Sequence, residues 1–294
     1  METCATFEEY LFNAGHTEQT VKSYLYTIDI FLSICKNADK FKYKDIVQYF
    51  EQEGKRLDNY GSRSRVLSAI KKYYDYLIDA GKRNDHPCRN LYLKGQQTKG
   101  VIIHDLFSGS ELEQLLDREE RYGDLRIRNK LTMSILIYQG LSSGELKDIN
   151  LRHINLDNGI IYIPESRKQS RRHLAMEPKQ YALFDRYISE VRPKLIRNET
   201  NALLLGKLGS RLTIDDINYL VSTYKILFPG RNLNPRTIRQ SVIANWLNEK
   251  KIPLEQVQLM AGHRWISSTA EYRFTSDEER REIINKYHPL EQFQ

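Results

Sequence analysis

Cysteine is scarce. Cys4, Cys35 and Cys88 are the only three in 294 residues, an odd and scattered set with neither metal-ligand spacing nor a disulfide framework, as expected of a protein kept in a reducing compartment. No apolar run approaches the ~20 residues of a membrane-spanning helix. The N-terminal stretch METCATFEEY carries acids where a secretory signal carries lysines. These absences predict an unprocessed, cytoplasmic protein with no membrane partner. Glycine-rich phosphate loops, nucleotide fingerprints and zinc patterns are also missing, so neither a cofactor nor a metal is expected.

What is present suits a folded, anion-seeking protein. A 40% hydrophobic content supports a sizeable core, and a formal charge of +7 with a pI of about 9.1 favours a polyanionic partner. Tyrosine is abundant, with 19 residues, several beside lysines as in KKYYDYL and KFKYKD. Most of these suit half-buried positions on amphipathic helices, where an apolar ring carries a polar tip. From Ser62 to Lys99 there are nine basic residues against three acidic ones, so this stretch holds most of the excess charge. Arg63, Arg65, Lys71 and Lys72 are its candidate contacts to such a polyanion; a solvated helix face is the alternative.

The periodicity predicts short helices over the first 95 residues. Val21, Tyr24, Leu25, Ile28, Phe31 and Leu32 fall on one face behind Thr20 as a candidate cap. A shorter helix follows near Asp45–Glu53, and another carries Val66, Ile70, Tyr73, Tyr74 and Leu77 and stops near Gly81. The polar segment LKGQQTKGV reads as a linker, placed at 96–105. Beyond it, Ser108 with Glu111, or Ser110 with Glu113, is a capping-box pattern. RNKLTMSILIYQGLSSGEL reads as a buried helix, a turn at Gly140 and a new helix start. The one β region is GIIYIPESRKQSRRHLAMEP, whose runs Ile160–Ile163 and Leu174–Met176 flank a basic turn as a hairpin. The rest is helical. The expected fold is therefore mainly α with a small β-hairpin or sheet, in two domains: 1–95, helical, and 106–294, which ends in a tail helix.

Four stretches carry a family resemblance that covers nearly the whole chain. EQVQLMAGHRWISSTAEY resembles the segment of tyrosine recombinases (phage-type integrases and Xer-like recombinases) that ends in their nucleophilic tyrosine. NPRTIRQSVIANWLNEKKIPLEQV is similar to the helix bearing their second active-site arginine. IYQGLSSGELKDINLRHINL looks like the turn and helix that normally carry the first, and the hairpin resembles the one that places their lysine. The resemblance implies a two-domain DNA clamp with a core-binding domain and a catalytic domain. It implies Tyr272 as nucleophile, Arg239 as phosphate clamp, His263 as phosphate hydrogen-bonder or proton acceptor, Lys168 as general acid, and Glu145 as a buttress of the arginine turn. Arg167, Arg171 and Arg172 crowd the hairpin turn, and any of them is a candidate for tracking the DNA backbone.

The residue types fit the chemistry. Cutting DNA without spending the bond energy requires a nucleophile that stores it as an ester, and a tyrosine does so as a 3′-phosphotyrosyl bond with a free 5′-hydroxyl. A phenol of pKa ~10 must lose its proton as it attacks. The phosphorane gathers charge that guanidinium forks match, and the departing 5′-alkoxide needs an acid.

Two positions depart from the family pattern. Ser142 stands where the first arginine is expected, and Arg236 where a histidine usually precedes the second arginine by three residues. Losing a transition-state guanidinium costs on the order of a hundredfold or more in rate. Arg236, one turn from Arg239, is the expected replacement, with Ser142 offering a hydroxyl bond to the phosphate. The resemblance implies a site-specific recombinase acting on double-stranded DNA as a homo-tetramer through a Holliday junction, with possible accessory DNA-bending proteins. A topoisomerase-like enzyme shares the chemistry, and a catalytically impaired DNA-binding regulator is the alternative that the two departures suggest. Ile283, Ile284 and Tyr287 make an apolar stripe in the tail for a neighbouring protomer or for its own domain.

Overall fold

The computed structural model describes residues 6–53, 59–94, 105–117 and 123–273. Contacts divide the chain into two compact units, 1–99 and 100–294. The tail stripe and most of the expected linker lie outside the described residues.

In the first unit four helices, α1 (Phe7–Asn13), α2 (Glu18–Ile34), α3 (Tyr43–Gln52) and α4 (Tyr60–Asp79), enclose a core of Ile28, Phe31, Ile46, Tyr49, Ile70, Tyr74 and Leu77. Thr17, not Thr20, caps α2, because its hydroxyl accepts the Thr20 amide while Thr20 already lies within the helix. Asn59 caps α4 by accepting the Ser62 amide. α4 ends at Asp79, and Gly81 follows with φ +65°, a left-handed conformation that costs glycine least. Tyr74 is fully buried and donates its hydroxyl to the Ala38 carbonyl at 2.6 Å.

The basic residues of α4 do not form one stripe. Arg65 and Lys72 share a face at a seven-residue separation, whereas Arg63 and Lys71 fall elsewhere around a 3.6-residue turn. Lys72 pairs with Asp75 at 3.0 Å, and Lys71 donates to the Arg89 carbonyl while lying over the Tyr92 ring.

The second unit is built around two largely buried helices, α6 (Gly123–Gln139) and α11 (Pro235–Asn248), which pack on each other and give Leu131, Ile135, Ile238, Val242 and Trp246 to the core. Around them lie α5 (Gly109–Gln114), α7 (Ser143–Asp148), α8 (Pro178–Arg186), α9 (Arg192–Leu195), α10 (Ile214–Ser222), α12 (Leu254–Ala261) and α13 (Ile266–Ala270). Ser108 and Glu111 form the capping box of α5. α6 runs into Gly140 at φ +59°, where an added Cβ would press on Val242 at 3.0 Å and Trp246 at 3.3 Å.

The sheet is small and antiparallel, in the order β1 (Ile154–Asn155), β2 (Ile160–Ile163), β3 (Arg172–Ala175). β2 coincides with the first expected run, whereas β3 starts two residues before the second and ends at Ala175, with Ile163 opposite Arg172. Side chains alternate along β3, so Arg172 and Leu174 face inward while His173 and Ala175 face out. Arg172 is thus a buried residue of the strand and not part of the exposed turn.

Tyr74→Phe removes the partner of a buried carbonyl and should cost about 1–2 kcal/mol. The expected outcome is a lower urea midpoint for the first unit, read by hydrogen exchange of α4 amides, with the second unit's amides unchanged.

Candidate active site

The site is organised by Glu145, whose side chain is 2% exposed. It occupies the N3 position of α7, and Ser142 is the N-cap. Ser142 accepts the Glu145 amide at 3.3 Å, and returns its own amide and hydroxyl to Glu145 Oε2, each at 2.9 Å. A serine hydroxyl has one proton. That proton is given to Glu145, so the hydroxyl bond to a phosphate expected from the sequence has no donor left.

Two arginines close on the same carboxylate from different elements. Arg172, from β3, donates Nη1 to Glu145 Oε1 at 2.6 Å and to the Ser170 carbonyl at 3.4 Å. Arg239, from α11, lies 3.3 Å from Oε2 and donates to the carbonyls of Gly140 and Ala261, each at 2.6 Å. Burial alone would raise the Glu145 pKa, but the two guanidinium groups and the Ser142 amide outweigh it and hold the carboxyl below its ordinary value. Two buried cations on one buried anion leave a surplus positive charge in the pocket.

The turn after α12 completes the site. Gly262 caps that helix at φ +71°, and a Cβ there would fall on the Arg172 guanidinium. Gly262 accepts the Ser170 amide at 2.9 Å, and Gln169 bridges to His263, so the hairpin is stitched to the glycine-histidine turn. Arg264 adds a clip to Glu165 at 3.0 Å and the Ser166 carbonyl at 3.1 Å. His263 Nδ1 lies 2.9 Å from the hydroxyl of the buried Thr269. Burial, then Arg239 and Arg172, push the His263 pKa down to about 4, leaving a neutral imidazole at physiological pH. Tyr272 stacks on that ring at a centroid distance of 6.1 Å and 21° between planes. Its backbone is held by bonds to Thr269 and Asn248. Burial raises the phenol pKa, against lowering by Arg239, a Gln240 hydrogen bond and Arg236, so the phenol is protonated at rest.

The remaining sequence candidates stay at the surface. Arg236 is exposed on the first turn of α11, near enough to act on the Tyr272 phenol, and is not one of the two arginines paired with Glu145. Arg167 and Lys168 are exposed at the hairpin tip, where the turn is closed by bonds between Ser166 and Gln169. Arg171 is exposed and Arg172 is not. Sequence reasoning missed Thr269, Asn248 and the inward aim of Arg172. The last was detectable, since Arg172, Leu174 and Met176 share a two-residue period. Among the described residues, no group of three or more histidine, cysteine or acidic side chains is placed to hold a metal, and no helix is long and apolar enough to cross a membrane.

Residues 106–279 match the phage integrase family, and residues 5–81 match the N-terminal SAM-like domain of phage integrases. The chain belongs to the phage integrase family. Its relatives within that family include the tyrosine recombinase XerD of Oceanobacillus iheyensis, 26% identical over 286 residues and 94% of each protein. The tyrosine recombinase XerC of Anoxybacillus flavithermus is 24% identical over 98% of this chain and 97% of its own. The integrase fold is shared with the Tn1549 transposon integrase in complex with transposon right end DNA (TM-score 0.69, 17% identity, 97% of this chain and 99% of that one). It is shared too with a lambda integrase dimer bound to a core site (TM-score 0.66, 15% identity, 93% and 94%).

Glu145→Gln leaves two buried guanidinium groups without their counterion and should destabilise the second unit by about 3–5 kcal/mol, measured by denaturant titration. Acid should weaken the same unit in two windows. The depressed His263 pKa means that unfolded chains bind the extra proton first, so stability falls as pH drops from ~6.5 towards about 4. The lowered Glu145 pKa adds a loss below the ordinary carboxylate range. His263→Asn should make the upper window shallower, with burial-depressed His153 still contributing to it, and leave the lower one.

Proposed function

We propose that this family member is a site-specific DNA recombinase that cuts and rejoins strands through Tyr272. The observation that carries this reading is the stacked pair of Tyr272 and His263 beside two buried guanidinium groups with a surplus positive charge. A phosphodiester brings the missing negative charge, and the phenol stands next to it.

In the proposed reaction the Tyr272 Oη attacks the scissile phosphorus, the P–O5′ bond breaks, and the phosphate passes to tyrosine as a 3′-phosphotyrosyl ester. Arg239 steadies the charge on the non-bridging oxygens, in a water-poor pocket where such bonds are strong. His263 has two modes, set by its tautomer. With Nδ1–H given to Thr269, Nε2 accepts the phenol proton or a proton relayed from it. In the opposite tautomer Nε2–H donates to a phosphate oxygen. Lys168, at the free hairpin tip, supplies the proton that lets the 5′-alkoxide leave. Arg236, with Arg167 and Arg171, contacts the backbone from the surface, and Arg63, Arg65, Lys71 and Lys72 do so from the first unit. Attack of a partner strand's 5′-hydroxyl reverses the chemistry and regenerates Tyr272. Strand exchange in pairs through a Holliday junction then calls for a homo-tetramer on two duplexes, with accessory DNA-bending proteins as possible helpers.

Incubating the purified protein with sheared DNA from its source and quenching with detergent should trap a covalent protein–DNA adduct. Tyr272→Phe should bind DNA equally and give none, and sequencing the trapped DNA gives the site. Protein that binds DNA without forming an adduct would instead be a DNA-binding regulator, and the proposal would fall.

A further inference from the structure

Arg172 has bonds for only part of its head. Nη1 is held by Glu145 and the Ser170 carbonyl, while Nε and Nη2 are buried without any hydrogen-bond partner. The side chain is 5% exposed, so water does not serve those donors freely. Buried donors are ordinarily satisfied, and orphaned ones cost enough to require an explanation. The Nε–Nη2 edge of a guanidinium is one of its two-pronged faces, matched in geometry to two oxygens of a phosphate.

The setting of that edge is specific. The Arg172 head lies against Gly262, the residue before His263, and depresses the histidine's pKa together with Arg239. It shares a carboxylate with Arg239, one oxygen each. The position at Ser142, where an arginine is expected by resemblance, holds an N-cap whose only hydroxyl proton is committed to Glu145.

We propose that Arg172 is the second phosphate-binding arginine of the active site, gripping the scissile phosphate through Nε and Nη2 from strand β3 in place of an arginine at Ser142. The assignment rests on the recombinase reading above and replaces Arg236 as the compensating residue. Arg236 is exposed, and the carboxylate of Glu145 pairs with Arg172 and Arg239 instead. Glu145 pre-orients Arg172 by its far nitrogen, so the guanidinium itself need not turn when the phosphate arrives, although the atoms that cover Nε and Nη2 have to give way to admit it. Gly262 is required here twice, for its left-handed backbone and for the space its missing Cβ leaves to the guanidinium.

The test uses duplex oligonucleotides carrying the site recovered from trapped adducts, with a nick placed so that cleavage is irreversible. Arg172→Gln should bind this DNA within a few-fold of wild type yet form adduct on the order of a hundredfold more slowly, whereas Arg236→Gln should lose much less. A second substrate bears a methylphosphonate at the scissile position, where one charged non-bridging oxygen is replaced by a neutral methyl group. On it the gap between Arg172→Gln and wild type should shrink by at least tenfold, because there is less charge to neutralise. A purely structural Arg172 would slow both substrates equally. A third variant, Arg172→Gln combined with Glu145→Gln, removes the buried charges together. Recovery of cleavage in it would make Arg172 a counterion only and overturn the proposal, as would equal gaps on the two substrates or unchanged cleavage by Arg172→Gln. Failure of wild type to form any adduct overturns the recombinase reading and the Arg172 assignment with it.

Discussion

The buried carboxylate of Glu145 is the constraint on which the site depends. A lone ionised carboxyl in that position is untenable, since removing it from water costs several kcal/mol after relaxation. It is kept by charge from two directions, with Arg172 and Arg239 on its two oxygens and the Ser142 amide and hydroxyl on one of them. Those partners come from α7, β3 and α11, three elements well separated in sequence. Satisfying one acid therefore fixes the hairpin, the turn after α6 and the central helix against each other.

The geometry is reinforced at the backbone. Arg239 reaches past Glu145 to the carbonyls of Gly140 and Ala261, tying the end of α6 to the end of α12. The Ser170–Gly262 bond and the Arg264 clip fasten the hairpin to the segment that carries His263. Tyr272 follows just beyond the end of the next short helix, α13, and its ring rests on His263. Each chemical group is thus held by a neighbour with another role, and the pocket carries a surplus positive charge with its donors already turned. This is what electrostatic preorganisation requires of a site for phosphoryl transfer.

Much of this was legible in the sequence, for physical reasons that differ by element. The hairpin was readable because an isoleucine-rich run and a second apolar run flank a basic turn, and the two strands overlap those runs. The helix over α6 and the break at Gly140 were readable because an apolar run ends in a residue that tolerates positive φ. Tyr272, His263, Arg239 and Glu145 were singled out by the resemblance of their segments to those of tyrosine recombinases, and the fold gathers all four. The cap of α2 was misplaced by three residues, because Thr17 and Thr20 both offer a hydroxyl and local pattern does not choose between them. The two-residue period of Arg172, Leu174 and Met176 hints at the inward aim of Arg172, but what makes it tolerable was hidden for another reason. Beside Arg167 and Arg171 it reads as one more surface charge, and only the acid at the far side of the pocket makes its inward rotation tolerable. That partner lies 27 residues away in the chain, beyond the reach of any local pattern.

Membership of the phage integrase family gives the fold its place, and the arrangement around Glu145 gives this member its particular character. One guanidinium comes from α11 and the other from a β-strand, with a serine cap where a side chain from the turn would otherwise enter. The most direct measurement is a crystal structure of Tyr272→Phe bound to its trapped DNA site. The account predicts the scissile phosphate between Arg172 and Arg239, with Nε and Nη2 of Arg172 within hydrogen-bonding distance of non-bridging oxygens and Glu145 still on Nη1. A phosphate held by Arg239 and Arg236 alone, with the Arg172 edge turned to water or protein, would contradict it.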